Sequence, residues 1–110
     1  MEDSRNNIWI LSDRAGIAKL DKDLNVVRKY RSNDGSGLVD DGVTEIFLDS
    51  KERLWIGTNG KGMGVMEPQA DTFKTYTTKD GLVNNAVLNI EEDNYGYLWI
   101  STNRGMSRFD

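Results

Sequence analysis

One phrase is written three times in this chain, and its spacing limits the folds open to it. Asn7-Ile8-Trp9-Ile10, Arg53-Leu54-Trp55-Ile56 and Tyr97-Leu98-Trp99-Ile100 each sit just after an aspartate, namely Asp3, Asp49 and Asp93. Each is followed by a polar pair, then a glycine (Gly16, Gly62, Gly105), an apolar residue (Ile17, Met63, Met106) and, three positions on, a second one (Leu20, Met66, Phe109). An acidic residue closes each copy: Asp21, Glu67 and Asp110. The tryptophans recur at intervals of 46 residues (9 to 55) and 44 residues (55 to 99). A fixed period in this range marks a solenoid, propeller or array, in which each repeat buries its apolar face only against its neighbours.

The same intervals fill in the rest of the unit. Tyr30 and Tyr76 are 46 residues apart, and Gly37-Leu38-Val39-Asp40-Asp41-Gly42-Val43 aligns with Gly81-Leu82-Val83-Asn84-Asn85-Ala86-Val87 at a spacing of 44. Four short strands are predicted per unit. The first runs from Val43 to Leu48 and from Ala86 to Glu91, with the Val and Ile that favour extended backbone. A turn, Asp49-Ser50-Lys51-Glu52 or Asp93-Asn94-Tyr95-Gly96, then reverses the chain, because Asp and Asn side chains bond nearby backbone and Gly accepts positive φ. The second strand, Leu54-Trp55-Ile56, is apolar at three successive positions. A strand with one wet face alternates, so this run predicts burial on both faces.

The third strand follows the glycine loop, as Gly64-Val65-Met66 or Ser107-Arg108-Phe109. The fourth, Val26 to Arg31 or Thr72 to Thr77, carries charge and threonine, as an exposed outer edge does to suppress stray pairing. No window shows sustained helical periodicity, and glycine interrupts the chain throughout. Short strands at regular spacing predict an all-β fold, and four antiparallel strands per repeat make a β-propeller blade.

The expected organisation is about two and a half blades, where a propeller closes roughly four to eight into a ring. Residues 1–36 form an incomplete blade, 37–80 a complete one and 81–110 an incomplete one. An open stack leaves both end faces bare. The sequence therefore predicts a piece of a larger propeller or a self-assembling chain, whose partners are the remaining blades of a parent protein or other copies of this chain.

Composition removes several function classes. The chain lacks histidine and cysteine. This excludes a Ser-His-Asp triad, a cysteine nucleophile, a disulfide and a typical zinc site within it. No metal or cofactor is expected. The formal net charge of −4, with acids and bases interspersed, argues against a nucleic-acid or anionic-membrane partner. No run of 18 apolar residues is present, and the polar, acidic start is not a signal peptide.

Gly81-Leu82-Val83-Asn84-Asn85-Ala86-Val87, then Ile90-Glu91-Glu92-Asp93 through Tyr97-Leu98-Trp99-Ile100-Ser101-Thr102 to Arg108-Phe109-Asp110, resembles the two-component regulator propeller repeat. Leu54-Trp55-Ile56-Gly57-Thr58-Asn59 and Phe73-Lys74-Thr75-Tyr76 carry the same resemblance in the middle copy. Leu11-Ser12 in place of Gly-Thr, and Val65-Met66-Glu67 in place of Arg-Phe-Asp, depart from the pattern. The resemblance implies the extracytoplasmic, periplasmic sensor region of a hybrid two-component regulator of Bacteroides type. There, tandem propellers precede a β-sandwich, a membrane helix, a histidine kinase and a response regulator. The implied input is a polysaccharide breakdown product, the implied partner an oligosaccharide ligand, and the implied role is non-catalytic. Alternatives are a structural or protein-interaction piece that mediates dimerisation, and a propeller lyase.

Propellers bind ligands mostly on the face carrying the loops between strands two and three and between strand four and the next strand one. The candidate ligand-binding residues there are Asp13, Arg14, Asp40, Asp41, Asn59, Lys61, Asn84, Asn85, Asn103 and Arg104. Such groups bond sugar hydroxyls, and Arg or Lys suits a carboxylate or sulfate. They are also ordinary turn residues. Trp9, Trp55, Trp99, Ile10, Ile56 and Ile100 are expected in the blade core rather than as sugar platforms, with Tyr30 and Tyr76 packing and their hydroxyls at the surface. Asp21 to Asn25 imitates a calcium loop but lacks its Gly and final Glu, so it is expected to be a hairpin turn. Gly57 to Gly62 lacks the Lys-Ser/Thr ending of a phosphate loop. Glu91 and Glu92 are adjacent on a strand and face opposite sides, so they cannot act as a catalytic pair.

Overall fold

The computed structural model describes residues 3, 6–12, 16–32, 34–38 and 42–109. Within them the chain forms three antiparallel sheets. The first contains β1 (Ile8–Ser12), β2 (Gly16–Leu20) and β3 (Val26–Tyr30) in that order. The second contains β4 (Val43–Leu48), β5 (Leu54–Thr58), β6 (Met63–Met66) and β7 (Lys74–Tyr76). The third contains β8 (Val87–Glu92), β9 (Leu98–Thr102) and β10 (Gly105–Phe109). Each sheet is a meander of neighbouring strands, as in a propeller blade. The register repeats from sheet to sheet: Trp9 lies opposite Lys19, Trp55 opposite Val65, and Trp99 opposite Arg108.

One device recurs at the turn before each tryptophan strand. Asp49 accepts backbone N–H bonds from Lys51 and Arg53 at 2.9 Å, a bond from Arg53 Nε at 2.7 Å and one from Trp55 Nε1 at 2.8 Å. Asp93 accepts from the Tyr95 and Tyr97 amides at 2.8 and 3.0 Å and from Trp99 Nε1 at 2.8 Å. Asp3 accepts from the Asn7 amide at 2.9 Å and Trp9 Nε1 at 3.1 Å. One carboxylate thus closes the turn and fixes the indole six residues on, which gives each indole N–H its partner.

The sheets stack face to face, with the second in the middle. Trp9, Ile17, Tyr30 and Leu38 pack against Leu54, Ile56, Met66 and Phe73 to form one core. Trp55, Met63 and Val65 pack against Leu82, Val87, Ile90, Leu98 and Ile100 to form the other. The middle strand is therefore buried on both faces, with Leu54, Trp55 and Ile56 all at 3% exposure or less. Gly57 permits the close approach of the third sheet, since a Cβ there would lie 2.6 Å from Val87 Cγ1. Gly62 has φ +95°, and a Cβ on it would meet the Tyr76 carbonyl oxygen at 2.4 Å, so the β5–β6 loop accepts only glycine at this position.

Three expectations are corrected. Trp99 and Ile10 are exposed, at 36% and 42%, because Trp99 points away from the middle sheet on the third blade and Ile10 does so on the first. Tyr30 packs as expected, but at 1% exposure its hydroxyl is not at the surface and donates to Asp71. The fourth strand of the second blade is Lys74–Tyr76 rather than 72–77, because Thr77 caps a 3-10 turn, Thr78–Asp80. Among the described residues no helix is long and apolar enough to cross a membrane.

Candidate functional site

Loops of the second and third blades meet on one rim of the stack. The β5–β6 loop, residues 59–62, is closed by Thr58, whose hydroxyl donates to the Gly62 carbonyl at 2.7 Å and accepts from the Lys61 amide at 3.0 Å. The segment entering β8 docks on it. The Gly60 and Gly62 amides donate to the Asn85 carbonyl at 3.1 and 2.9 Å, and Asn59 forms a bridge with Ala86. The β9–β10 loop joins from the other side, its Asn103 amide donating to the Ala86 carbonyl at 3.3 Å.

The 3-10 turn completes the rim. Its capping box joins Thr77 and Asp80: the Thr77 hydroxyl accepts from the Lys79 amide at 3.2 Å, and the Asp80 carboxylate accepts from the Thr77 amide at 3.0 Å. Asn85 Oδ1 accepts from the Thr78 amide at 2.9 Å, tying the turn to the loops. These contacts border an open cleft of about 560 Å³. Lys61, Lys79, Asp80, Asn85, Thr75 and Thr77 line it. Two ammonium groups against one carboxylate, itself held by a backbone amide, leave the cleft with an excess positive charge.

Six of the predicted site residues fall on this rim. Lys61 and Asn85 line the cleft, whereas Asn59, Asn84, Asn103 and Arg104 flank it in the loops. Asn84 and Asn85 serve the fold as well, because Asn84 Oδ1 accepts from the Ala86 amide at 2.8 Å, as Asn85 Oδ1 does from Thr78. Asp13, Arg14, Asp40 and Asp41 lie outside the described residues. Thr75, Thr77, Lys79 and Asp80 were not foreseen. The signal was present in Thr77-x-x-Asp80, which has the spacing of a helix N-terminal cap. Asp21 closes its hairpin turn by accepting from the Asp23 and Asn25 amides at 2.9 and 3.0 Å. Among the described residues no group of three His, Cys, Asp or Glu converges on a metal position.

Residues 37–60 and 81–104 match the model of the "Two component regulator propeller" family. Over 38 residues, 34% of this chain, it is 45% identical to histidine kinase P4 of Formosa agariphila, of which it covers 3%. The fold superposes on the extracellular domain of a protein described as a hybrid two component system from B. thetaiotaomicron, with a TM-score of 0.79 and 27% identity over 100% of this chain. A second such extracellular domain from the same organism gives a TM-score of 0.83 at 22% identity over 99% of the chain, a likeness of fold. The chain spans 16% of the length of each of those two solved chains.

Proposed function

We propose that this chain, whose residues 37–60 and 81–104 are two-component regulator propeller repeats, forms part of the extracytoplasmic, periplasmic sensor propeller of a hybrid two-component signalling protein. In this reading it binds an acidic polysaccharide breakdown product and does not turn it over. The cleft beside the β5–β6 loop carries the reading. Its two lysines suit a sugar carboxylate or sulfate, and its threonine hydroxyls and Asn85 suit sugar hydroxyls. The likeness to an extracellular domain of a hybrid system and to a histidine kinase supports the signalling context. The lack of histidine supports binding rather than catalysis.

Calorimetric titration with uronate-bearing and neutral oligosaccharides tests this. Acidic fragments are expected to bind more tightly, and the Lys61→Ala/Lys79→Ala double variant to bind about tenfold more weakly, a change of roughly 1.4 kcal/mol. Added salt should weaken binding of the acidic fragments. Equal affinity for neutral and acidic fragments, unaffected by the double variant, would remove the cleft from consideration, and cleavage of any fragment would overturn the non-catalytic reading.

One observation favours a second reading, in which the chain is an assembly piece. The outer face of the third blade displays Trp99, Met106 and Leu88 at 36%, 58% and 54% exposure. Trp99 and Met106 hold the register positions of Trp55 and Met63, which the third blade covers on the second. The face is thus patterned to receive another blade, and in solution that blade can come from a second copy. Light scattering should then show a mass above 12.4 kDa that falls towards that value in Trp99→Ser. A monomeric mass at all concentrations would leave the face without a partner copy.

A further inference from the structure

Each blade of this stack has two unlike faces. One is led by the tryptophan: Trp9 and Ile17 on the first sheet, and Trp55, Met63 and Val65 on the second. The other is mainly aliphatic: Leu54, Ile56 and Met66 on the second sheet, and Leu98, Ile100 and Phe109 on the third. Strand alternation sets the two back to back, since Trp55 stands between Leu54 and Ile56 and points the opposite way. Both contacts within the chain join unlike faces. Trp9 and Ile17 meet Leu54, Ile56 and Met66, whereas Trp55, Met63 and Val65 meet Leu98 and Ile100. Phe109 completes the second contact, edge-on to Trp55 at a centroid distance of 6.4 Å. Among the described residues no two tryptophan faces meet, and no two aliphatic ones.

The register carries one face of each kind to the outside of the stack. On the third sheet Trp99 and Met106 hold the places of Trp55 and Met63 and are exposed. On the first sheet Ile8 lies opposite Leu20, as Leu54 lies opposite Met66 and Leu98 opposite Phe109. Ile10 takes the place of Ile56 and Ile100 and is exposed, as is Val26 opposite Leu20 on β3. The second sheet separates these two outer faces, so they cannot meet within one copy. Two copies can join them twice, once in each direction.

Such a contact uses a different surface on each copy, and it either closes into a ring or runs on as a filament. The blade count decides between them. With three sheets in each copy, two copies supply six blades, inside the roughly four to eight that propellers close, whereas three copies would supply nine.

We infer that two copies of this chain close into a ring of six blades, each third blade seating Trp99 and Met106 on Ile8, Ile10 and Leu20 of the other copy's first blade. That copies associate at all rests on the assembly reading above. Which faces meet, and where association stops, rest on the two contacts already inside the chain. The contact is thinner than those, because among the described residues the first sheet has no strand in the place of β8, whose Val87 and Ile90 line the contact of the second and third blades. Association is therefore reversible and concentration-dependent.

Sedimentation of the full chain, with a circular dichroism spectrum of each sample, tests this. The wild-type chain is expected to approach twice its 12.4 kDa as concentration rises and to stop there. Met106→Lys and Ile10→Lys change exposed side chains on the two outer faces, and each is expected to sediment at 12.4 kDa with an unchanged β spectrum. Mixed in equal amounts the two variants should associate again, because the Ile10→Lys copy keeps Met106 and the Met106→Lys copy keeps Ile10. One contact then stands in place of two, so the mixed pair should dissociate at a concentration about a hundredfold higher than the wild type. Should a lysine variant lose its β spectrum, Met106→Gln and Ile10→Thr make the same test with a milder change. An Ile10→Lys chain that stays dimeric would put two tryptophan faces together, which overturns this inference and leaves the assembly reading standing. Masses that climb beyond two copies overturn the ring, and a wild-type chain that is monomeric at every concentration overturns both.

Discussion

Trp55→Ala is expected to lower the unfolding free energy by about 3–5 kcal/mol, and Trp99→Ala by about 1 kcal/mol, in urea titrations at a dilution where the chain is monomeric. The two tryptophans occupy one position of the repeat, fix one kind of turn and donate to equivalent aspartates at the same distance of 2.8 Å. They differ in what covers them. Trp55 is 3% exposed and lies among Tyr76, Phe109 and the Arg53 guanidinium. Its truncation removes the largest side chain of the second core and leaves a cavity that the flanking sheets cannot close. Trp99 is already 36% exposed, so truncation there gives back surface that was never fully withdrawn from water. Equal losses at the two positions would mean that the third blade is covered in the monomer, contrary to the structure.

Asp49→Ala is expected to cost about 3–5 kcal/mol, comparable to breaking a buried ion pair by removing one partner. The carboxylate is 4% exposed and accepts from two backbone amides, the Arg53 guanidinium and the Trp55 indole. Alanine leaves those donors without an acceptor, and buried donors are costly when unpaired. Asp49→Asn should cost less, since it keeps an acceptor oxygen but loses the charge.

The same carboxylates predict an acid dependence. Burial pushes the Asp49 pKa up, but the bonds from the Trp55 indole, the Arg53 amide and the Arg53 side chain outweigh it and hold the group below its ordinary 3.8. Asp93 is lowered chiefly by the Trp99 indole. Asp34 is held at about 2, chiefly by Ser36. A carboxyl whose pKa is lower folded than unfolded adds stability that is complete above the unfolded value and disappears as pH falls through the folded one. Stability should therefore be level above about pH 5 and decline below it, and Asp49→Asn should flatten the decline. A loss of stability that instead began near neutral pH would contradict this assignment.

Much of the fold was legible because a propeller repeat is written locally. The turn aspartate, the indole six residues later and the loop glycine all act within two successive hairpins that share the Trp strand, so their spacing alone identifies the strands. β4 runs from Val43 to Leu48 as expected. β8 starts at Val87 rather than Ala86, because Ala86 is taken into the bridge to Asn59. The candidate site was half legible. Lys61 and Asn85 could be placed on one rim from the repeat register, whereas the contribution of Thr75, Thr77 and Lys79 depended on how the end of β7 folds back onto Asn85.

The amino-acid sequence by itself determined an all-β chain of propeller blades, their strand order, and the Asp-to-Trp turns that build each one. Each of these depends on residues within a few positions of one another. Only the tertiary structure decided which members of an identical pattern are covered. Trp55 and Trp99 are the same residue in the same local setting, and Met66 and Phe109 sit at the same register. Their burial depends on what the neighbouring sheet brings to the interface. Burial belongs to a pair of faces, and a repeat unit specifies only one face of each pair.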